Sequence, residues 1–149
     1  MPDSNQVVLT PDGRRMLQAR LVELAEELLP AMRPLLVEDE RDERVVADFE
    51  RLQAEHDRLA VVLGTAGSVD PERLGSVVEL GSRVVILDAD GHRRVVRIVD
   101  PVEAFLDDER ISRKSPLAVA LMGHSPGDEC RVAAPAGAWT ARVLEVGEG

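Results

Sequence analysis

The side chains best suited to chemistry form one charged run, Glu38-Asp39-Glu40-Arg41-Asp42-Glu43-Arg44, with five carboxylates and two guanidinium groups. Hard divalent cations take oxygen ligands and need few of them from any one chain, so the run could supply carboxylates to a metal ion in the cleft of another molecule. A charge run is also the usual composition of a solvated turn. Composition leaves both interpretations open.

Two helical patterns flank this acidic run. Thr10-Pro11-Asp12 puts a hydroxyl at the N-cap, a proline at the first helical position and a carboxylate in the first turn, which predicts a helix from Pro11 to about Val37. Pro30 and Pro34 predict a kink or an early break within it. The spacing of three and four residues is typical of a coiled-coil seam, whose members are Leu17, Leu21, Leu24, Leu28, Ala31 and Leu35.

A second seam follows the acidic run and ends near Gly64 and Gly67, which are helix stop signals. Its members are Val45, Phe49, Leu52, His56, Leu59 and Leu63. Two such helices are expected to pack against each other as an antiparallel coiled-coil hairpin that turns between about Val37 and Arg44. The acidic run then lies at the tip of a finger made of residues 1–68.

Residues 69–149 change to strand-length patterns rich in β-branched residues. Asp90-Gly91 predicts a hairpin turn, and Ser115-Pro116 predicts the start of one short helix that ends at Gly123. The predicted strands are 77–80, 83–87, 94–99, 130–133 and 140–146. The fold class is therefore α+β: a helical hairpin followed by a small antiparallel sheet with one helix.

Charge and composition exclude several functions. A net charge of −10 disfavours direct binding to nucleic acid or to an anionic membrane unless basic residues gather on one face. One cysteine, Cys130, excludes an internal disulfide, and with only three histidines beside it the chain is unlike an ordinary Cys/His zinc protein. Because no apolar run is long enough to span a bilayer and no signal peptide is visible, we expect a cytoplasmic protein.

The motifs of the C-terminal part occur in a recognisable order: Ile98-Val99-Asp100, Glu103-Ala104, Ile111-Ser112, Ser115-Pro116-Leu117-Ala118, Ala120-Leu121, Gly123, Gly127-Asp128, Pro135 and Gly137. With Thr10-Pro11-Asp12-Gly13 and Leu17, the chain resembles the Gre family of bacterial transcription elongation factors, GreA and GreB. The resemblance implies an FKBP-like C-terminal domain that docks at the rim of the RNA polymerase secondary channel while the coiled-coil finger enters it.

By this resemblance, Ile111, Ser112, Ser115 and Pro116 match the segment that contacts the polymerase. Ser115-Pro116 is also explained as a helix start. The family implies RNA polymerase as the partner and no cofactor except a shared Mg²⁺ of the polymerase active site. We expect a monomer that is not itself an enzyme.

The finger tip departs from the family. Members that stimulate transcript cleavage carry Gly-Asp-Leu-x-Glu-Asn-Ala-Glu-Tyr there, and this chain has no such phrase. Its candidate metal-directed carboxylates are Glu38, Asp39, Glu40, Asp42 and Glu43. Because relatives with altered tips inhibit the polymerase, the sequence slightly favours regulation or inhibition over cleavage stimulation.

Two alternatives stay open at this stage. The chain could be an adaptor similar to the regulators of nucleoside diphosphate kinase, which share the C-terminal domain but have a shorter finger. It could also be a peptidyl-prolyl isomerase, as the FKBP-like fold alone suggests. With only Phe105 and Trp139 in the C-terminal half, the aromatic pocket of such isomerases cannot be built, and this is the weaker alternative.

Overall fold

The computed structural model describes residues 6–37 and 42–148, and the chain divides into two units. Asp12–Ala66 belongs to a helical unit. Val8–Pro11 joins the segment that begins at Gly67 to form a sheet unit. The segment Asp12–Ala66 is thus inserted between two segments of the sheet unit.

The helical part contains a hairpin of two long helical segments. The first consists of α1 (Pro11–Glu23), a π-helical turn (Leu24–Leu28) and α2 (Leu29–Leu36), and it begins at Pro11 as predicted. The second is α3 (Glu43–Thr65), which ends between the two predicted glycine stops.

The π-helical turn replaces the predicted break at the prolines. Pro30 has no N–H to donate, and its ring would clash with the carbonyl four residues earlier in a regular α-helix. The backbone widens by one residue just before Pro30, where the N–H of Leu29 donates to the carbonyl of Leu24. The helix then continues through Pro34 to Leu36.

The extra residue of the wide turn rotates the rest of the helix, so the predicted seam is correct only up to this point. Leu24 is fully buried, and the next buried position is Leu29 at 3% exposure. The predicted Ala31 and Leu35 are exposed, Leu35 to 46%, and their prediction was wrong. The half-buried positions that follow are each one residue later: Met32 and Leu36.

The seam of α3 agrees with its prediction. Leu59 is buried, and the other predicted members are half-buried: Val45, Phe49, Leu52, His56 and Leu63. His56 lies at the edge, with Nδ1 3.1 Å from Oδ1 of Asp57.

Two arginines of α1 make hydrogen bonds to α3 and its C-cap, and so join the two helical segments of the hairpin. Nε and Nη2 of Arg20 donate to the two carboxylate oxygens of Glu55 at 2.7 and 3.0 Å. The guanidinium of Arg14 donates to the carbonyl oxygens of Leu63 and Ala66 at 3.3 and 3.2 Å, and so satisfies exposed carbonyls at the end of α3.

The sheet unit contains a two-stranded and a five-stranded sheet. In the first, β1 and β2 pair in parallel. The second has the strand order β5-β4-β3-β7-β6, with the short helix α4 between β5 and β6. The bounds are β1 Val8–Leu9, β2 Gly67–Ser68, β3 Ser82–Leu87, β4 Arg93–Val99, β5 Arg110–Ser112, α4 Pro116–Leu121, β6 Glu129–Ala134 and β7 Gly137–Glu148.

The larger sheet is mixed, and this corrects the prediction of a purely antiparallel one. Strand β5 pairs in parallel with β4, with Arg97 opposite Arg110 and Val99 opposite Ser112. The other pairs are antiparallel. The Asp90-Gly91 turn joins β3 and β4 as predicted, with Gly91 at φ +78°.

The predicted strand 77–80 does not form. Val78 exchanges two backbone hydrogen bonds with the loop after α4: its N–H donates to His124, and its carbonyl accepts from Gly123. The chain then turns at Gly81, whose φ of +95° suits glycine. A Cβ there would also meet Cγ1 of Val69 at 2.6 Å.

The core of the sheet unit lies between one face of the larger sheet and α4. The helix contributes Leu117, Ala118 and Leu121, and the strands contribute alternate residues, as expected when side chains point to opposite faces. The buried strand residues are Val84, Ile86, Val96, Ile98, Cys130, Val132, Ala141 and Val143. This packing fixes the position of the chain segment that joins β5 to α4.

Candidate functional site

The first candidate site is the tip of the helical hairpin. Glu38, Asp39 and Glu40 lie outside the described residues, whereas Asp42 and Glu43 are described and exposed. Asp42 is the N-cap of α3, and its Oδ1 accepts the N–H of Arg44 at 2.9 Å. The cap uses one carboxylate oxygen, and among residues 6–37 and 42–148 no hydrogen bond is made by the second. Glu43 follows in the first turn.

The second candidate site is the turn between β5 and α4, which we call the docking turn (residues 111–116). Ile111 and Ser112 end β5, Ser115 is the N-cap of α4, and Pro116 is the first residue of that helix. The turn brings all four predicted residues into one short segment. Its contacts with a partner stay a prediction.

Hydrogen bonds within the docking turn occupy both serine side chains. Oγ of Ser112 accepts the N–H of Lys114 at 3.1 Å, and Oγ of Ser115 accepts the N–H of Ala118 at 3.3 Å. The carbonyl of Ser112 accepts the N–H of Ser115 at 2.8 Å. The serines therefore hold the shape of the turn, and the prediction of Ser115 as a helix cap is confirmed.

Two clusters of charged groups, each with a buried carboxylate, lie beside the docking turn, and sequence reasoning did not find them. Arg113 Nη2 is 3.7 Å from Oδ2 of Asp100, which is 5% exposed. Arg110 Nε is 3.7 Å from Oε1 of Glu103, and Arg110 also pairs with Asp107. Asp100 and Glu103 occur in the family motifs, but nothing in their local spacing indicates burial or a partner.

The ion pair of the helical hairpin shifts the protonation of both partners. The hydrogen bonds and charge of Arg20 lower the pKa of Glu55, and burial opposes this shift. The same pair raises the pKa of Arg20. Both groups thus stay ionised across the physiological range.

Local structure accounts for two further sets of side chains: the cluster of Asp88, Asp90 and His92, and the thiol of Cys130. Ligand atoms of Asp88, Asp90 and His92 lie within 4.8 Å of one another. Backbone N–H groups of His92 and Asp90 donate to Asp88, which lowers the pKa of Asp88 and closes the hairpin turn. Cys130 is 2% exposed, and burial raises the pKa of its thiol, which agrees with a core residue rather than a nucleophile.

Among the described residues, every helix is too short or too polar to cross a bilayer.

Comparison with known proteins defines the class. Residues 73–148 match the family model "Transcription elongation factor, GreA/GreB, C-term". The chain therefore belongs to the GreA/GreB family of transcription elongation factors.

Individual relatives cover almost the whole chain. Transcription elongation factor GreA of Ruegeria pomeroyi is 27% identical over 95% of this chain and 97% of its own. Transcription inhibitor protein Gfh1 of Thermus aquaticus is 33% identical over 96% of this chain and 98% of its own. The crystal structure of Thermus aquaticus Gfh1 aligns with 97% of this chain and 99% of its own, at 34% identity and a TM-score of 0.44.

Proposed function

We propose that this protein binds bacterial RNA polymerase at the secondary channel, through the docking turn of an FKBP-like domain, and that its antiparallel coiled-coil finger enters the channel. It regulates or inhibits transcription rather than stimulating efficient transcript cleavage. It acts as a monomer in the cytoplasm and has no active site of its own. Any Mg²⁺ that its carboxylates reach belongs to the polymerase.

The observation that carries the proposal is the ordered docking turn in a chain of this family. Ser112 and Ser115 accept internal hydrogen bonds that fix the backbone, and Pro116 fixes the start of α4. A fixed turn loses little conformational entropy when it binds, which favours recognition. These hydrogen bonds support the proposal that residues 111–116 contact the polymerase with little reordering.

The tip supports inhibition over cleavage stimulation. It lacks the family's glycine-containing phrase, and Asp42 already uses one oxygen for the helix cap. Two-metal chemistry requires ligands to be placed to within about 1 Å. A tip with a different sequence does not necessarily place its carboxylates at those positions. The relatives include both an elongation factor and an inhibitor, so either effect lies within the family.

The alternatives receive less support. The helix from Pro11 to Leu36 continues past both prolines, for a length on the order of 40 Å. That length favours a full finger over the short finger of a nucleoside diphosphate kinase regulator. Phe105 is 69% exposed and Trp139 packs against the core, so neither lines the aromatic pocket of an isomerase.

Transcript shortening by stalled, backtracked RNA polymerase tests the proposal. The assay is run in Mg²⁺ with and without the protein, beside nucleotide addition in an ordinary elongation complex. We expect unchanged or slower shortening together with slower nucleotide addition. Faster shortening would identify a cleavage factor instead, and no effect on either reaction would remove the proposed function.

Two sets of substitutions separate the tip from the docking turn. Alanine at the five tip carboxylates abolishes a metal-directed effect but leaves binding intact. A matched control replaces Glu26 and Glu27, exposed carboxylates of the same unit, and keeps the effect. Replacing Ser115 and Pro116 weakens binding itself. If the tip variant inhibits as the parent does, its carboxylates do not act on the metal.

A further inference from the structure

Lys114 lies in the middle of the docking turn, between Ser112 and Pro116. It is the only lysine of the chain, in a protein with a net charge of −10. Its side chain is exposed, and within the described part of the chain its ammonium group makes no hydrogen bond or ion pair. The neighbouring Arg113, by contrast, faces Asp100.

Three hydrogen bonds fix the backbone on either side of Lys114. Its own N–H donates to Oγ of Ser112, the N–H of Ser115 donates to the carbonyl of Ser112, and the N–H of Arg113 donates to the carbonyl of Val99 at 2.8 Å. The serine Oγ atoms thus accept hydrogen bonds from backbone N–H groups of this segment. The exposed side chains of the docking turn are those of Lys114 and Pro116, and its other residues are half-buried.

The outer face of α4 continues this surface with apolar side chains. Val119 lies one turn after Pro116 and is 63% exposed. Met122, the C-cap residue directly after the helix, is 40% exposed. The opposite face of the helix supplies Leu117 and Leu121 to the core. Pro116, Val119 and Met122 therefore lie outside this core contact, and their exposed apolar area is available to a partner.

We propose that Lys114, Pro116, Val119 and Met122 form a docking surface for a protein surface that places a carboxylate beside an apolar patch. The inference rests on the proposed function and specifies the chemistry of the polymerase surface that the docking turn contacts. The ammonium pairs with the carboxylate and sets the register of the complex, while the apolar residues lose their water on contact. Ser112 and Ser115 are positioning residues in this arrangement.

A protein fits this surface better than a nucleic acid does. A chain of net charge −10 repels a polyanion at low salt. The attraction of one ammonium group does not offset this repulsion. A single carboxylate in a mostly apolar surface attracts the ammonium without that repulsion. The apolar stripe on α4 also finds no counterpart on a phosphate backbone.

Binding of the full-length chain to purified core RNA polymerase, free of DNA and RNA, tests the inference at several salt concentrations. Lys114→Glu is expected to weaken binding roughly tenfold at low salt, with a smaller loss at high salt, as for charged pairs at an interface rim. Lys114→Arg keeps the positive charge and restores most of the affinity. Val119→Ser weakens binding at all salt concentrations, because it removes apolar contact.

Arg131→Glu is the matched control. Arg131 is exposed on β6, between the core residues Cys130 and Val132, so it lies on the sheet face away from α4. The Arg131→Glu variant has the same change in charge as Lys114→Glu, and we expect it to bind as the parent does. Thermal unfolding of each variant checks that the fold is kept.

Other outcomes separate the two proposals. If the parent binds and Lys114→Glu binds equally well, the inference is wrong and the proposed function stands. The inference is also wrong if Arg131→Glu weakens binding as much as Lys114→Glu does. If the parent does not bind polymerase at all, the proposed function fails and the inference fails with it.

Discussion

The carboxylate of Glu103 accepts two hydrogen bonds from Thr10, although 93 residues separate them. The backbone N–H of Thr10 donates to Oε2 at 2.9 Å, and its hydroxyl donates to Oε1 at 2.6 Å. Glu103 is fully buried, and Arg110, which is 6% exposed, supplies a nearby positive charge. A buried carboxylate is tolerated when hydrogen bonds and an opposite charge satisfy it, as they do here.

Replacing Glu103 with alanine is expected to destabilise the protein by about 3 kcal/mol, because Thr10 loses both acceptors and the buried Arg110 loses a partner. Urea unfolding measures the loss. Asp108→Ala, which removes an exposed carboxylate of the same loop, is the control and stays within about 0.5 kcal/mol of the parent. Equal stability of the two variants would contradict the prediction.

The ion pair between Arg20 and Glu55 predicts a pH dependence. Arg20 lowers the pKa of Glu55 in the folded state, so the stabilisation is complete above the ordinary pKa of a glutamate. It is lost as the pH falls through the lowered value, since the unfolded state then binds the proton more strongly. The difference in unfolding free energy between the parent and Glu55→Gln, measured from about pH 3 to pH 7, should therefore shrink towards acid. A difference that does not vary with pH would show that the pair adds nothing to stability.

The shift of the helical seam predicts unequal effects of two leucines six residues apart. Leu29 is 3% exposed and Leu35 is 46% exposed. Leu29→Ala is expected to lower the free energy of unfolding by about 2–4 kcal/mol, because it opens a cavity, whereas Leu35→Ala lowers it by less than about 1 kcal/mol. Chemical unfolding of the two variants gives the comparison. The reverse order would support the unshifted seam.

These two leucines also show what the sequence could predict about the fold. The alternating spacing of three and four residues predicted both helices and the buried face of α3. In a regular helix, the spacing of apolar residues along the sequence determines which of them lie on one face. The sequence indicated that Pro30 disturbs the helix. It could not indicate whether the chain would break, kink or insert a wide turn, since packing against α3 selects among these.

In the sheet unit, turn and helix-cap motifs predicted a turn and a cap correctly, whereas the parallel strand pairing and the long-range contacts were not predicted. The Asp90-Gly91 turn and the Ser115 cap are formed as predicted. The parallel pairing of β5 with β4 depends on the loop that returns the chain, and no short-range pattern encodes it. The contact of Thr10 with Glu103 likewise appears only after folding, because neither residue carries a local sign of its partner.

Asp42 allows the structural and metal-directed roles of the tip to be separated. Asp42→Ala removes the N-cap of α3 and should destabilise the protein by about 1 kcal/mol, while Asp42→Asn keeps a good cap and stays within about 0.5 kcal/mol of the parent. Urea unfolding checks both values. An effect of Asp42→Asn on polymerase assays then reports the loss of the carboxylate charge and not of the helix start. Equal destabilisation by both variants would show that Asp42 does not act as a cap.

The pairing of β1 with β2 makes the helical hairpin a removable module. Val8 lies opposite Gly67 and Leu9 opposite Ser68, so the chain leaves and re-enters the sheet unit at neighbouring strands. Whole turns of helix can be gained or lost inside this insertion while every pairing of the five-stranded sheet is kept. Mutation can therefore remodel the inserted helices while the pairings that hold the segment 111–116 are kept, and the two units of the chain can evolve at different rates.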